Sequence, residues 1–347
     1  MRMEASDRLA ASIRDKLLCR NDLSPAEVVE FMNELMAGEI PSVLLAEILS
    51  AWKTKGETVP ELVAAAQVMR RHAVRVHPRR LDLLDTCGTG GDGARTLNVS
   101  TLVSVLSAAA GVAVAKHGNR AVSSTSGSAD LLAGWGIPAE ISPERVAAGI
   151  DVVGFGFMFA PLFHPSMKHA AEARRMLKTR TLFNCLGPMT NPAGAQRQLL
   201  GVYDGNLTER LAEALGGLGA VRVMVVHGED GFDEISPCAP TRVSEWHEGR
   251  LNNRRIDPEE YGFKIHSADA LVCADAQEAR ARAEAVLEGA SGADTDFVTL
   301  NAGFALVVAG RVNNPQEGIA MAQTLLSSGA ALRKRNEIRD FYSAVNS

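Results

Sequence analysis

The spacing of apolar residues divides this chain into two parts that meet near residue 75. Residues 17–37, 42–53 and 61–72 carry apolar side chains three and four positions apart, which is typical of amphipathic helices. Ser24, Pro25 and Glu27 predict a helix start, with serine as the cap, proline in the first turn and glutamate at the capping-box position. The alternation typical of strands is not seen here. We therefore expect a small all-helical domain over residues 1–75.

The pattern changes at about residue 81, where short apolar runs begin to alternate with glycine-rich turns and helical stretches. Strands are predicted at residues 81–87, 112–115, 155–159, 199–203 and 221–226, with a hairpin near the sheet edge at 243–256 and helices at 97–110, 143–150 and over most of the chain after 274. Strands that alternate with helices are typical of a parallel sheet covered on both faces.

The predicted fold class is therefore α/β. We expect a large domain over residues 76–347 with a mainly parallel central sheet flanked by helices, in addition to the small helical domain. Helices near residues 165–180 are expected to pack onto the helical domain, with the active site in the cleft between the two domains.

Composition and charge narrow the classes of function. Hydrophobic residues make up 46% and charged residues 22% of the 347 residues, which excludes a disordered chain. A formal net charge of −5 without a basic block disfavours general nucleic-acid binding. The first residues lack an apolar signal core, and the longest weakly polar run, residues 103–115, is too short to cross a bilayer. The five cysteines are scattered and predict neither disulfides nor a zinc site, so we expect a cytoplasmic protein without a membrane partner.

A glycine-rich loop follows the first predicted strand. Gly88, Gly90 and Gly93 match the spacing G-x-G-x-x-G, but a dinucleotide site also needs an acidic residue about 20 positions later. Asp and Glu are absent from residues 93–129, which disfavours a nicotinamide cofactor, and the chain has no Walker A motif. The remaining interpretation is an anion site, because a tight glycine turn exposes main-chain N–H groups and the next helix adds its dipole.

Polar and basic residues follow this loop in the places that an anion site requires. Asn98, Ser100 and Thr101 fall in the first turn of the next helix, and Lys116 and Arg120 follow the second strand. A second loop carries serines at positions 123, 124, 126 and 128. Both loops follow the carboxyl ends of strands, where open α/β sheets bind ligands. The alternative is that the glycines only form turns and the serines only cap a helix.

Four acidic residues lie within residues 229–234, after the strand predicted at 221–226. Such a cluster is either a solvated loop or a magnesium site, since Mg²⁺ takes one or two carboxylates and bridges to substrate phosphates. Together with the phosphate-type loops, it suggests a substrate that is a magnesium–diphosphate complex.

Several long motifs resemble one enzyme family. They are KGET at residues 55–58, DTCGTGGDGARTLNVST at 85–101, KHGNRAVSSTSGSAD at 116–130, FNCLGPMTNP at 183–192, HGEDGFDEIS at 227–236 and NAG at 301–303. In this order and over nearly the whole chain, they resemble the anthranilate phosphoribosyltransferases of tryptophan biosynthesis. The resemblance implies a glycosyltransferase that moves the phosphoribosyl group of 5-phosphoribosyl diphosphate (PRPP) to the amine of anthranilate and releases pyrophosphate. It also implies Mg²⁺ as cofactor and a homodimer formed through the helical domain.

The resemblance also assigns residues by position. It places at the PRPP site Gly88, Gly91, Asp92, Thr96, Asn98, Ser100, Thr101, Lys116, Ser124 and Ser128. It places near anthranilate Gly88, His117, Asn119, His164 and Arg174, and at magnesium Ser100, Asp233 and Glu234. We expect no obligatory catalytic side chain, with Lys116 and Arg174 acting through charge and positioning.

Two alternatives remain beside this assignment. One is a pyrimidine nucleoside phosphorylase, which shares the fold, and the other is a non-catalytic relative that binds nucleic acid. The chain also departs from the family pattern in places: Cys87 stands at a usually aliphatic position, and Lys178 replaces a glycine that would end the helix predicted at 165–177. These departures affect the expected local geometry and remove none of the assigned residues.

Overall fold

The computed structural model describes residues 2–91, 93–120 and 127–344. Its first part contains only helices: α1 (Arg2–Leu18), α2 (Pro25–Ala37), α3 (Ser42–Lys55) and α4 (Val59–His72). The predicted capping box of α2 is present, because Ser24 Oγ accepts from the Glu27 N–H at 3.3 Å and Glu27 Oε2 accepts from the Ser24 N–H at 2.8 Å. A second capping box, formed by Thr58 and Glu61, starts α4 two residues before the apolar pattern begins.

The buried carboxylate of Glu61 ties the first helices together. It accepts hydrogen bonds from the Leu23 N–H at 2.8 Å, from Trp52 Nε1 at 3.1 Å and from Lys55 Nζ at 2.9 Å. Because a buried charge is tolerated when it is paired and fully hydrogen-bonded, this network gives Lys55 and Thr58 a structural role.

One seven-stranded sheet forms the centre of the second part. Its strands are β1 (Leu83–Gly88), β2 (Ala113–Gly118), β3 (Phe155–Phe159), β4 (Arg197–Gly201), β5 (Arg222–Gly228), β6 (Thr241–His247) and β7 (Arg250–Ile256). The order across the sheet is β3-β2-β1-β4-β5-β6-β7, and the first five strands are parallel. Strands β6 and β7 form the predicted antiparallel hairpin at the edge. The mainly parallel sheet predicted from the sequence is confirmed.

The remaining helices are α5 (Val99–Ala109), α6 (Ser128–Gly134), α7 (Pro143–Val153), α8 (Ala160–Phe163), α9 (Lys168–Leu177), α10 (Leu182–Leu186), α11 (Leu207–Gly217), α12 (Ala276–Leu287), α13 (Ala293–Val308), α14 (Pro315–Ser327) and α15 (Ala330–Ser343). Helix α9 packs against α2 and α3. Within the described residues, no helix has both the length and the apolar composition needed to cross a bilayer.

Buried apolar side chains form two clusters. The first includes α5, α13 and the strands β2 and β3. The second joins α1–α4 to α9–α11 and to one face of the sheet, where it includes Cys87, Leu200, Val223 and Val225. The second cluster thus crosses the boundary expected near residue 75.

Candidate active site

The sheet opens between β1 and β2 at their carboxyl ends. Strand β1 pairs with β4 along five positions, and β2 pairs with β3 along five. Between β1 and β2, however, the register pairs are only Leu83 with Ala113 and Leu84 with Val114. Beyond these pairs no register pair joins the two strands, and polar side chains bond to the main chain of β2 instead. We call this unpaired stretch between β1 and β2 the seam.

The side chain of Lys116 lies in the seam. It is 1% exposed, and its Nζ donates to the Thr86 carbonyl at 2.5 Å and to Ser100 Oγ at 3.1 Å. Burial lowers the pKa of this ammonium, while the negative charges of Asp85 and Glu234 oppose that shift. A cation is thereby held inside the sheet and points at the first turn of α5. The sequence placed Lys116 after a strand that ended at residue 115, which is wrong, because β2 continues to Gly118.

Asp85 and Asn191 bridge the seam beside Lys116. Asp85 Oδ1 accepts from the main-chain N–H of His117 at 3.1 Å, and its Oδ2 accepts from Asn191 Nδ2 at 2.8 Å. Asn191 Nδ2 also donates to the Ala115 carbonyl at 2.8 Å. Burial raises the pKa of Asp85 to about 6, against the lowering effect of Lys116 and of its hydrogen bonds. Sequence analysis gave neither residue a role.

The N-terminus of α5 faces this seam. Asn98 caps the helix by accepting from the Thr101 N–H at 3.0 Å, and Ser100 Oγ lies 3.4 Å from Asn98 Oδ1. Thr101 Oγ1 is buried and has no hydrogen-bond partner among the described residues, while Thr96 is half-buried in the preceding loop. A helix dipole, two hydroxyl groups and a buried ammonium therefore converge where an anion could bind.

The glycine-rich loop lies over the end of β1. Gly90 and Gly91 have φ values of 63° and 80°, a backbone conformation that favours glycine. The Gly90 N–H donates to Asp233 Oδ2 at 3.1 Å. A Cβ at Gly88 would lie 2.8 Å from the same carboxylate oxygen, so the absence of a side chain allows this approach. Asp92, assigned to the PRPP site, lies outside the described residues.

The acidic segment reaches the same loop from β5. Glu229 pairs with Arg255, and Asp230 accepts from Ser236 Oγ at 2.5 Å, so these two carboxylates have local roles. Asp233 lies at the glycine loop, and the charge of Glu234 acts on Lys116.

Asn301 in α13 fixes the main chain just after these two acids. Its Oδ1 accepts from the Ile235 N–H at 2.9 Å, and its Nδ2 donates to the Ile235 carbonyl at 2.8 Å. This clamp explains why the motif at residues 301–303 accompanies the acidic one. No group of three or more His, Cys, Asp or Glu side chains suited to hold a metal occurs in the described ranges. Two carboxylates and a hydroxyl fit Mg²⁺, which keeps waters and takes its other ligands from phosphate.

Two histidines lie side by side near the end of β2. The ring centroids of His117 and His164 are 5.0 Å apart, and both residues are buried. Burial lowers the pKa of His117 to about 3 and that of His164 to about 4. Each Nε2 is buried without a hydrogen-bond partner in the part of the chain that the structure describes. Both rings are therefore neutral at pH 7 and offer unused polar atoms.

The other residues assigned to anthranilate lie on either side. Arg174 is half-buried on α9, its guanidinium carbon lies 5.8 Å from the centroid of the Phe183 ring, and burial lowers its pKa. Asn119 is exposed just after β2 and accepts from the Arg120 N–H at 2.8 Å. Ser128 starts α6, and its Cβ would lie 3.2 Å from a Cβ built at Gly118. Ser124 falls outside the described residues.

Arg180 was not predicted from the sequence as part of the site. This side chain donates to the Gly91 carbonyl and lies over the Tyr203 ring, 3.7 Å from its centroid. It thus links the segment between α9 and α10 to the glycine loop. Nothing in the spacing of the sequence indicates this contact, which joins residues 89 positions apart.

Known protein families match most of this chain. Residues 11–73 match the helical bundle domain of a glycosyl transferase family, and residues 80–332 match the α/β domain of the same family.

The anthranilate phosphoribosyltransferase of Desulfatibacillum aliphaticivorans is 47% identical over 94% of this chain and 96% of its own length. The crystal structure of the Thermus thermophilus enzyme superposes with a TM-score of 0.90 at 43% identity, covering 95% of this chain and 99% of that one. The Saccharomyces cerevisiae enzyme, solved in complex with PRPP and Mg, has a TM-score of 0.86 at 28% identity and covers 97% and 98% of the two chains. This chain belongs to the anthranilate phosphoribosyltransferase family.

Proposed function

We propose that this protein transfers the 5-phosphoribosyl group from PRPP to the amine of anthranilate, giving N-(5-phosphoribosyl)anthranilate and pyrophosphate in tryptophan biosynthesis. The observation that carries the proposal is the convergence at one end of the sheet. The buried ammonium of Lys116 and the first turn of α5 meet there. The carboxylate of Asp233 reaches the same end through Gly90. This combination suits a diphosphate that arrives with a divalent cation.

The diphosphate would occupy the space between the glycine loop and α5. Its proposed contacts are Gly88, Gly91, Asp92, Thr96, Asn98, Ser100, Thr101, Lys116, Ser124 and Ser128. The support is chemical: main-chain N–H groups, hydroxyl groups and one ammonium all favour a polyanion. The Thr101 hydroxyl, which lacks a partner among the described residues, is a group that a phosphate oxygen would satisfy.

Ser100, Asp233 and Glu234 would hold Mg²⁺, which would supply positive charge beside the diphosphate. These residues fit the ion, because the carboxylate of Asp233 lies 3.1 Å from the Gly90 nitrogen of the loop that would bind the phosphates.

Anthranilate would lie on the side of His117, Asn119, His164 and Arg174, with Gly88 at the border of the two substrate sites. A half-buried guanidinium suits a carboxylate, because its planar fork can donate two parallel hydrogen bonds. The neutral histidine rings, tilted by 55° to each other, would provide weakly polar contacts for an aromatic ring. Their low pKa values keep both rings free of positive charge at neutral pH.

The proposed reaction needs little general acid or base catalysis from side chains. When the bond between the anomeric carbon and the diphosphate oxygen breaks, negative charge grows on the leaving group, and Lys116 with the loop N–H groups would stabilise it. The aromatic amine of anthranilate is already neutral at pH 7, so no side chain is needed to activate it. Holding the two substrates in line would then supply much of the rate.

We also propose the larger arrangement expected from the sequence. The helical domain over residues 1–75 and the α/β domain over 76–347 would enclose the active site between them. Arg180 supports this arrangement, because it already contacts the glycine loop from the segment that follows α9.

A homodimer through the helical domain is part of the proposal. A groove of about 660 Å³ lies between α1, α3 and the end of α9. Its rim carries the exposed apolar side chains of Leu18, Val43 and Met176, which are 65%, 60% and 50% exposed. Clustered apolar exposure of this kind marks an interface. Light scattering distinguishes a dimer from a monomer of 36.9 kDa.

A cytoplasmic location completes the proposal. All five cysteines are free thiols, as is usual where thiols are kept reduced.

The test is direct. Purified protein is mixed with PRPP, Mg²⁺ and anthranilate, and the loss of anthranilate fluorescence is followed. We expect the loss to require all three components and to stop when EDTA is added. Unchanged fluorescence, or phosphorolysis of uridine or thymidine in its place, would contradict the proposed function.

A further inference from the structure

The function proposed above assigns no role to Asp85 and Asn191, yet both residues lie in the middle of the candidate site. Asp85 is 0% exposed and Asn191 is 4% exposed. They lie 106 positions apart in the sequence and meet in the seam between β1 and β2. A buried carboxylate in a sheet is costly unless hydrogen bonds and opposite charge compensate it. Two apolar residues and an uninterrupted ladder would fill the same space at lower cost.

The hydrogen bonds show what the carboxylate replaces. In an uninterrupted ladder, main-chain groups of β1 and β2 would pair beyond Leu84 and Val114. Here the N–H of His117 donates instead to Asp85 Oδ1, and the carbonyl of Ala115 accepts instead from Asn191 Nδ2. Two side chains therefore take the place of the ladder between β1 and β2.

The orientation of the carboxylate is itself fixed. Asn191 Oδ1 accepts from the Ala193 N–H at 3.0 Å, which leaves its Nδ2 directed at Asp85 Oδ2 and the Ala115 carbonyl. The chain of contacts runs from the turn at Asn191, through Asp85, to the main chain of His117.

We propose that Asp85 is a positioning residue for the acceptor substrate. Its carboxylate, oriented by Asn191, holds the main chain at His117 and so sets where the His117 ring and the following Asn119 meet anthranilate. Asp85 itself lies beneath the site and touches no substrate. The inference rests on the proposed function, since that function assigns His117 and Asn119 to the acceptor.

The test compares Asp85→Asn with wild type in the full chain by steady-state kinetics. An amide at position 85 has one acceptor oxygen in place of two, so it cannot accept from both Asn191 Nδ2 and the His117 N–H, and one of these two contacts is lost. We expect the KM for anthranilate to rise about tenfold, the effect of losing one hydrogen bond to a charged group. Because the Asp85 charge also supports the ammonium of Lys116, selectivity is measured on Asn191→Ser, which keeps Asp85 and leaves Lys116 bonded to Thr86 and Ser100. In that variant the KM for PRPP should change by less than about threefold.

Two further variants make the result decisive. Asn191→Ser removes the group that orients the carboxylate and should raise the anthranilate KM selectively, including where Asp85→Asn fails to fold. Ser244→Ala is the matched control, because it removes a buried hydrogen bond of β6, 3.0 Å from Thr208 Oγ1, and should leave both KM values unchanged.

The outcomes separate the inference from the proposed function. In an active enzyme, an unchanged anthranilate KM in either variant, or an equal rise in both KM values in Asn191→Ser, would overturn the inference alone. Absence of transfer by the wild-type protein would overturn the proposed function and the inference with it.

Discussion

Replacing Arg174 by alanine should weaken anthranilate binding while PRPP binding stays nearly intact. A fully exposed ion pair contributes about 0–1 kcal/mol, whereas removing one partner of a buried charge pair costs about 2–5 kcal/mol. Arg174 is half-buried and packs near the Phe183 ring, so its contact with a carboxylate falls at the lower end of the second range. A loss of about 2–3 kcal/mol corresponds to a KM for anthranilate raised about 30- to 150-fold.

The helix supplies its own control for this measurement. Arg175 is the next residue of α9 and is exposed, so Arg175→Ala removes the same charge from the same helix without touching the cleft. Initial rates at saturating PRPP give the anthranilate KM, and the reverse experiment gives the PRPP KM. Arg174→Lys keeps the charge but not the planar fork and should give an intermediate value. Equal effects of Arg174→Ala on both substrates, or equal effects of the two alanine variants, would refute the assignment.

Three further predictions concern the metal, a helix end and pH. Asp233→Asn combined with Glu234→Gln should raise the Mg²⁺ concentration for half-maximal rate at least about tenfold; an unchanged magnesium titration would remove the metal role from this segment. Lys178 ends α9 with a φ of 48°, so Lys178→Gly should stabilise the fold by about 0.5–1 kcal/mol in urea unfolding, and a loss of stability would contradict the strain. Burial lowers the pKa of His164 from 6.5 to about 4, so during acidification this imidazole is protonated in the unfolded chain at a higher pH than in the folded chain. The free energy of unfolding therefore falls as the pH drops from about 6.5 to about 4. His164→Gln should reduce the slope of the free energy of unfolding against pH by the contribution of one proton. Identical slopes in the two proteins would show that the residue is not buried in its neutral form.

Local signals predicted much of the fold. The capping box at Ser24 and the edge hairpin depend on residues close in sequence, and both are found where the pattern placed them. The strand at residues 112–115 was predicted too short, because Lys116 and His117 are polar and ended the apolar run. In the folded chain the seam accommodates both, and β2 continues to Gly118.

The separate parts of the candidate site are predicted from the sequence, but the way in which they come together is not. The glycine loop, Lys116 and the acidic segment are visible in the sequence because each is a local cluster. Asp85 with Asn191, and Arg180 with Gly91, are contacts between single residues 106 and 89 positions apart. No periodicity or composition marks such pairs, and only the tertiary structure brings them together.

The apolar core that joins α1–α4 to the sheet also determines how this chain folds and how it can be divided. Without the first four helices, the sheet face that bears Leu200, Val223 and Val225 would lose part of its cover. A fragment that begins at residue 80 would then expose an apolar surface, and we expect it to aggregate instead of folding independently. We therefore expect the two segments to unfold together, because they share this interior. Recombination or truncation near residue 75 would cut through it.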